Sequence, residues 1–309
     1  MYQAKRPSRS EFIPIRNQQY HVRIWGERRP GIAPLVLVHG WMDVAASYQF
    51  VVDALSDAFM QGRQLIAPDW RGYGLTTGAP IDNYWYPDYL ADLDFLLDHY
   101  APDRPVDLLG HSMGGNVVMN YAGVRPTRIR RLVNLEGFGG PATEPGQAPQ
   151  RYAKWLDGLR QLQRGELDLR PYENVEGVAR RLSKTNPRLA RDQAGQDKAL
   201  WLAAHWARQN AAGQWEILGD PAHKIVNAQL FRADELLELY KCITMPVLAV
   251  EAVHNSVDLW WRGKFSIAQY HERLKLVRDC RIEVIDDAGH MLHHDQPERL
   301  ARLLEGFLD

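Results

Sequence analysis

This 309-residue sequence predicts an α/β fold: a mostly parallel sheet wrapped by helices, with an inserted helical cap. Three observations carry that reading. Short β-branched runs alternate with helical spacings, the pattern of parallel strands joined by crossover helices. Gly110-His111-Ser112-Met113-Gly114 stands between one such run and the helix after it. The alternation stops near residue 139 and resumes near residue 241.

Taken in order, residues 12–25 alternate apolar and polar about Asn17-Gln18, which predicts an antiparallel hairpin. Residues 34–38 are apolar, end at His39-Gly40 and predict a buried central strand. Residues 64–67 repeat that pattern and lead into Asp69-Trp70-Arg71-Gly72-Tyr73-Gly74, read as a scaffold loop. Tyr89, Leu90, Leu93, Leu96 and Leu97 fall at helical spacing within residues 86–99. A strand at 106–109, a helix at 117–124 and a strand at 131–135 follow. Residues 139–240 read as mostly helical, with one weak strand near 215–218 and breaks at Gly139-Gly140-Pro141 and Gly219-Asp220-Pro221. Strands at 245–250 and 281–285 then precede a helix at 297–308, with Pro297 suited to its first turn. The expected division is a core of residues 1–138 and 241–309 and a helical cap of residues 139–240.

The composition is ordinary for a globular protein, with 45% hydrophobic and 24% charged residues. A net charge of -1 and dispersed basic residues argue against a nucleic-acid partner. No apolar run is long enough to span a bilayer, and no apolar region follows the basic N-terminus. The expectation is a soluble, cytoplasmic monomer or homodimer. Cys242 and Cys280 lie in no metal-binding spacing and are read as reduced thiols. No metal or other cofactor is expected.

The chemistry centres on the Gly-x-Ser-x-Gly turn. A tight turn after a buried strand lifts the Ser112 hydroxyl clear of the sheet edge, and the following helix aims its amides at any anion formed there. Serine needs a base. His290, in Asp287-Ala288-Gly289-His290, lies in the loop after the last strand and is the candidate; His293 and His294 open the following helix region. Trp41 and Met113 are the candidate oxyanion-hole residues, donating through their backbone N–H groups. Gly40 lets the chain approach the substrate, and His111 is read as structural.

Over nearly its whole length the chain resembles the α/β-hydrolase superfamily. The likeness rests on Val38-His39-Gly40-Trp41, Ala67-Pro68-Asp69-Trp70-Arg71-Gly72-Tyr73-Gly74, Gly110-His111-Ser112-Met113-Gly114-Gly115 and Ala288-Gly289-His290. The capped esterase-like and dehalogenase-like branches are the more similar ones, including proteins called serine hydrolase-like. The resemblance implies an eight-stranded sheet, a helical cap and hydrolysis through an acyl-enzyme. Most relatives carry the triad acid after the strand matching residues 246–250, where this chain has Asn255. Some dehalogenase-like relatives carry it one strand earlier, where this chain has Glu136. Glu136 is therefore the preferred acid, Asp258 the runner-up and Glu251 the third choice. Serine at the elbow, in place of the aspartate used on alkyl halides and epoxides, implies acyl transfer.

Trp155, Trp201, Trp206 and Trp215 in the cap, with Tyr152 and Phe231, suggest an apolar, partly enclosed pocket for a small acyl substrate that is apolar or aromatic. Trp201, Leu202, His205 and Trp206 are read as one helix face, and the basic cap residues as a solvated surface. Carboxylic-ester cleavage is the leading expectation. A thioesterase, lactonase, C–C hydrolase or cofactor-free perhydrolase would use the same residues, and a non-catalytic ligand-binding protein of this fold is the reading from another class.

Overall fold

The computed structural model describes residues 2–309. In chain order, the first part comprises β1 (Arg9–Ile15), β2 (Gln18–Trp25), β3 (Leu35–Val38), α1 (Gln49–Ala54), α2 (Asp57–Met60), β4 (Leu65–Pro68), β5 (Thr77–Gly78), α3 (Tyr86–Tyr100), β6 (Val106–His111), α4 (Met113–Val124) and β7 (Ile129–Leu135). Next come α5 (Ala148–Gln163), α6 (Val175–Thr185), α7 (Gln193–Trp206), β8 (Ala207–Gln209), β9 (Trp215–Ile217) and α8 (Ala233–Lys241). The chain closes with β10 (Val247–His254), α9 (Val257–Trp261), α10 (Ile267–Leu274), β11 (Cys280–Gly289), α11 (Leu292–Asp295) and α12 (Pro297–Leu308).

The strands form one sheet in the order β1-β2-β4-β3-β6-β7-β10-β11. From β4 to β11 every neighbouring pair is parallel, whereas β2 runs antiparallel to β1 and β4. The expected eight strands need one correction. The two-residue β5 pairs with β2 and makes a ninth, too short for an alternation to reveal it. The central strands are apolar throughout because both faces are covered. Leu93, Leu97, Val117 and Tyr121 pack on one face, and Val51, Val52, Leu300 and Leu304 on the other.

The inserted segment is mostly helical, as expected, but β8 pairs with β9 in a small hairpin. Its last helix, α8, lies against α4, where a Cβ on Gly123 would meet the Leu239 carbonyl oxygen at 2.4 Å. α6 and α7 share an apolar cluster with Val44 and Phe50 of the segment after β3. The Trp201 ring meets those of Tyr2, Phe50 and His205, while Leu202 and Trp206 line the cavity described below. Trp201, Leu202 and Trp206 share one apolar cluster with Phe50.

Asp69 accepts from the Ala45 and Leu75 amides and bonds the His21 ring, and Arg71 makes a bidentate pair with buried Asp92. This loop ties β2, the segment after β3 and α3 to the end of β4. No helix among the described residues is long and apolar enough to cross a membrane.

Candidate active site

Three strand ends meet at the carboxyl edge of the sheet. β6 delivers Ser112, with φ 54° and ψ −116°. Such a conformation costs about 1–3 kcal/mol and is held only where neighbours over-determine it. Here the Ser112 amide bonds the Leu135 carbonyl, and the glycines on either side permit close packing. A Cβ on Gly110 would sit 2.3 Å from the Gly114 carbonyl oxygen, and one on Gly114 2.4 Å from that of Val38. β7 delivers Glu136, which also has positive φ, at 56°. The loop after β11 delivers His290.

His290 Nε2 is 3.0 Å from Ser112 Oγ, and His290 Nδ1 is 3.2 Å from Glu136 Oε2. Glu136 is buried, with Oε1 accepting from the Ala252 amide at 2.7 Å. Burial pushes its carboxyl up to about 8, against the pull of the Ala252 and Ser256 amides. Burial likewise pushes the His290 imidazole down to about 3. A neutral imidazole bonded this way carries its proton on Nδ1 and leaves the Nε2 lone pair toward the serine hydroxyl.

Ser256, which no motif singles out, places Oγ 3.2 Å from His290 Nδ1, on the far side from Ser112. It lies in the loop after β10. Asp258 lies on the exposed side of α9, and its carbonyl caps that helix by accepting from Arg262. Glu251 is taken up by His271, 2.8 Å away. Trp260 packs edge-on against the His290 ring, with centroids 4.3 Å apart.

Gly40 brings the loop after β3 against the elbow: a Cβ there would meet Ser112 Cβ at 3.0 Å. Trp41 and Met113 both line the cavity beside Ser112. Met113 opens α4, so its amide lies among the helix's unsatisfied donors. His111 is buried and bonds the His290 carbonyl through Nε2 at 2.8 Å, tying the elbow to the histidine loop.

A cavity of about 1150 Å³ opens over Ser112 and His290. Leu169, Tyr172, Leu202, Trp206 and Ile217 of the inserted segment form its apolar roof, and Arg170, Arg181 and Lys184 also line it. The roof is bolted to the core at several points. Trp206 Nε1 donates to the Met42 carbonyl at 2.9 Å, and Trp41 Nε1 to that of His223 at 3.2 Å. The His223 ring lies between those of Tyr73 and Tyr84. Arg188 and Arg191 both bind Asp287, three positions before His290.

A family model described as the alpha/beta hydrolase fold matches residues 33–297. A serine hydrolase-like protein of Danio rerio is 23% identical over 98% of this chain and 89% of its own length. Among solved structures, a thioesterase domain from the curacin biosynthetic pathway superposes with a TM-score of 0.79 at 22% identity, covering 97% of this chain and 99% of that one. E-2-(acetamidomethylene)succinate hydrolase superposes with a TM-score of 0.73 at 21% identity, covering 98% and 100%.

Proposed function

Because the chain belongs to the α/β-hydrolase fold family, we propose that it cleaves carboxylic esters through an acyl-enzyme formed on Ser112. The observation that carries this reading is the continuous contact Ser112 Oγ–His290 Nε2–Glu136, made under an apolar roof. His290 accepts the hydroxyl proton as Ser112 Oγ attacks the carbonyl carbon. Negative charge gathers on the carbonyl oxygen, facing the Trp41 and Met113 amides. Glu136 stabilises the imidazolium and holds the ring's orientation. His290 returns the proton to the departing alcohol, then activates water to release the acid. The inserted segment of residues 139–240 encloses a small substrate with an apolar or aromatic acyl group.

Turnover of short p-nitrophenyl esters, with Ser112→Ala for comparison, tests this directly. Wild-type turnover with loss in the variant is expected, together with fluorophosphonate labelling of Ser112 only in the wild type. Absence of both activities in folded wild-type protein refutes the proposal in favour of a binding role. Thioester cleavage is the second reading, favoured by Arg170, Arg181 and Lys184 at the roof, which suit an acyl carrier's phosphate. Matched acyl esters and phosphopantetheine thioesters would separate the two by kcat/KM.

A further inference from the structure

Behind the nucleophile lies a cluster of polar side chains that ester cleavage does not use. His111 Nε2 faces the His290 carbonyl, which can only accept, so Nε2 must carry the ring's proton. The ring itself is buried. Its Nδ1 is thus a bare lone pair, buried and with no hydrogen-bond partner among the described residues. Asp43 Oδ1 accepts from the Val44 amide, but its Oδ2 is likewise buried without a partner. His293, 1% exposed, brings Nε2 to 4.0 Å from that same oxygen. Ser47 Oγ sits 3.1 Å from His293 Nε2 and 2.6 Å from His294 Nε2. Ser47 also bonds Asp43, so one hydroxyl links His293 Nε2, His294 Nε2 and the Asp43 carboxyl, and an ion on His293 Nε2 would replace its contact with Ser47.

One donor atom from each of Asp43, His111 and His293 therefore lies within 4.8 Å of the other two. Electron-pair donors gathered in a buried space repel one another and are costly without a positive partner. We propose that Asp43, His111 and His293 bind one divalent transition-metal ion of the zinc type. Two imidazoles and a carboxylate suit zinc or cobalt, and magnesium or calcium prefer an all-oxygen shell. Tetrahedral coordination at about 2.0–2.1 Å sets its donors about 3.4 Å apart, so side-chain rotations must close a gap of at most about 1.4 Å. Entry is through the cavity, which Asp43 and His111 line. The ion would join the loop after β3, the end of β6 and the start of α11: Asp43 is two residues after Trp41, His111 adjoins Ser112, and His293 is three residues after His290. Its role is that of a clamp on these loops, and it stands independently of whether the protein hydrolyses esters.

The test uses metal-stripped full-length protein, titrated with ZnCl₂ by calorimetry and with CoCl₂ by visible absorption. One equivalent of Co²⁺ with a four-coordinate d–d spectrum is expected, with a rise in Tm that EDTA reverses. Losing an outer-shell partner already weakens metal affinity about 10–100-fold, so Asp43→Asn and His293→Gln should each weaken it by more than about tenfold. His254→Gln, at an exposed histidine, should leave binding unchanged. No Co²⁺ uptake by the wild type overturns the proposal, since a proton on Asp43 or a bridging water would then fill the space. Uptake undiminished in both variants overturns it too, because it places the ion on surface histidines. If either variant fails to fold, X-ray absorption of the Co²⁺ wild type decides: a first shell with two imidazoles supports the site, and one without imidazole refutes it.

Discussion

Glu136→Gln exchanges one oxygen for an NH₂ group that can only donate, and the structure dictates how the new amide must sit. The Ala252 amide donates to one carboxyl oxygen at 2.7 Å, so glutamine must keep its carbonyl oxygen there. Its NH₂ then faces His290 Nδ1, which lay 3.2 Å from the other oxygen. Two donors cannot share that contact, so Nδ1 becomes the acceptor and the ring proton moves to Nε2. A proton on Nε2 faces Ser112 Oγ and blocks it from giving up its own. A reversed tautomer of this kind costs about 10³–10⁴ in kcat, the larger figure measured for an Asp→Asn change in a serine protease triad. That corresponds to about 4–5 kcal/mol of transition-state stabilisation. Stability should hold, because burial already favours the uncharged form of this carboxyl and the amide is uncharged too. The assay is kcat on a p-nitrophenyl ester beside Tm, with Asp258→Asn in parallel. Asp258 is exposed on α9, so that variant should keep kcat within about twofold, as surface changes away from a site usually do. A larger kcat loss in Asp258→Asn than in Glu136→Gln would refute the assignment of the acid.

Ser112→Gly should abolish turnover yet raise Tm, because glycine relieves a strain of about 1–3 kcal/mol at φ 54°; an unchanged or lower Tm by differential scanning fluorimetry would contradict this. Gly110→Ala should destabilise by about 1–3 kcal/mol or more, read as a lower urea midpoint, since its Cβ would sit 2.3 Å from the Gly114 carbonyl oxygen. Trp206→Phe removes the indole N–H donated to Met42, so kcat should fall with less than about 1.5 kcal/mol of lost stability, the upper range for one hydrogen bond. Acid should destabilise the protein. Burial pushes His39 down to about 4 and His223, His290 and His294 to about 3. The unfolded chain therefore binds more protons below about 6.5, and this stability is lost as pH falls from there toward 3. Glu136 and Asp43, pushed up to about 8 and about 7, act in the opposite sense as pH rises from about 4. The imidazoles outnumber them, so the urea midpoint should drop between pH 6.5 and 4; a rise there would contradict the sign.

The central strands were legible because both faces of the sheet are covered, so each reads as an unbroken apolar run ending in glycine or a polar turn. β5 and β8 were not, since two or three residues of polar sequence carry no period. β10 runs on to His254 and β11 to Gly289, past the apolar stretches that announce them, because polar residues can continue a ladder beyond the buried core. At the site, Ser112 and His290 stand in recognisable local turns. Glu136 is marked only by being a carboxylate at a buried strand's end, and its bond to His290 spans 154 positions. Ser256 carried no signal, because a lone serine in a polar loop has no pattern. The Asp43, His111 and His293 cluster has ligands so widely separated that no short spacing could have shown it.

The bolts between roof and core have a consequence for timing. Trp206 holds the Met42 carbonyl, next to the candidate oxyanion donor Trp41, while Arg188 and Arg191 hold Asp287, just before the candidate base. Raising the roof far enough to admit a bulky molecule must slacken both attachments and disturb donor and base together. If Ser112 is the nucleophile, admitting a bulky molecule and attacking it would compete, because the same few bonds hold the roof, the oxyanion loop and the histidine loop together.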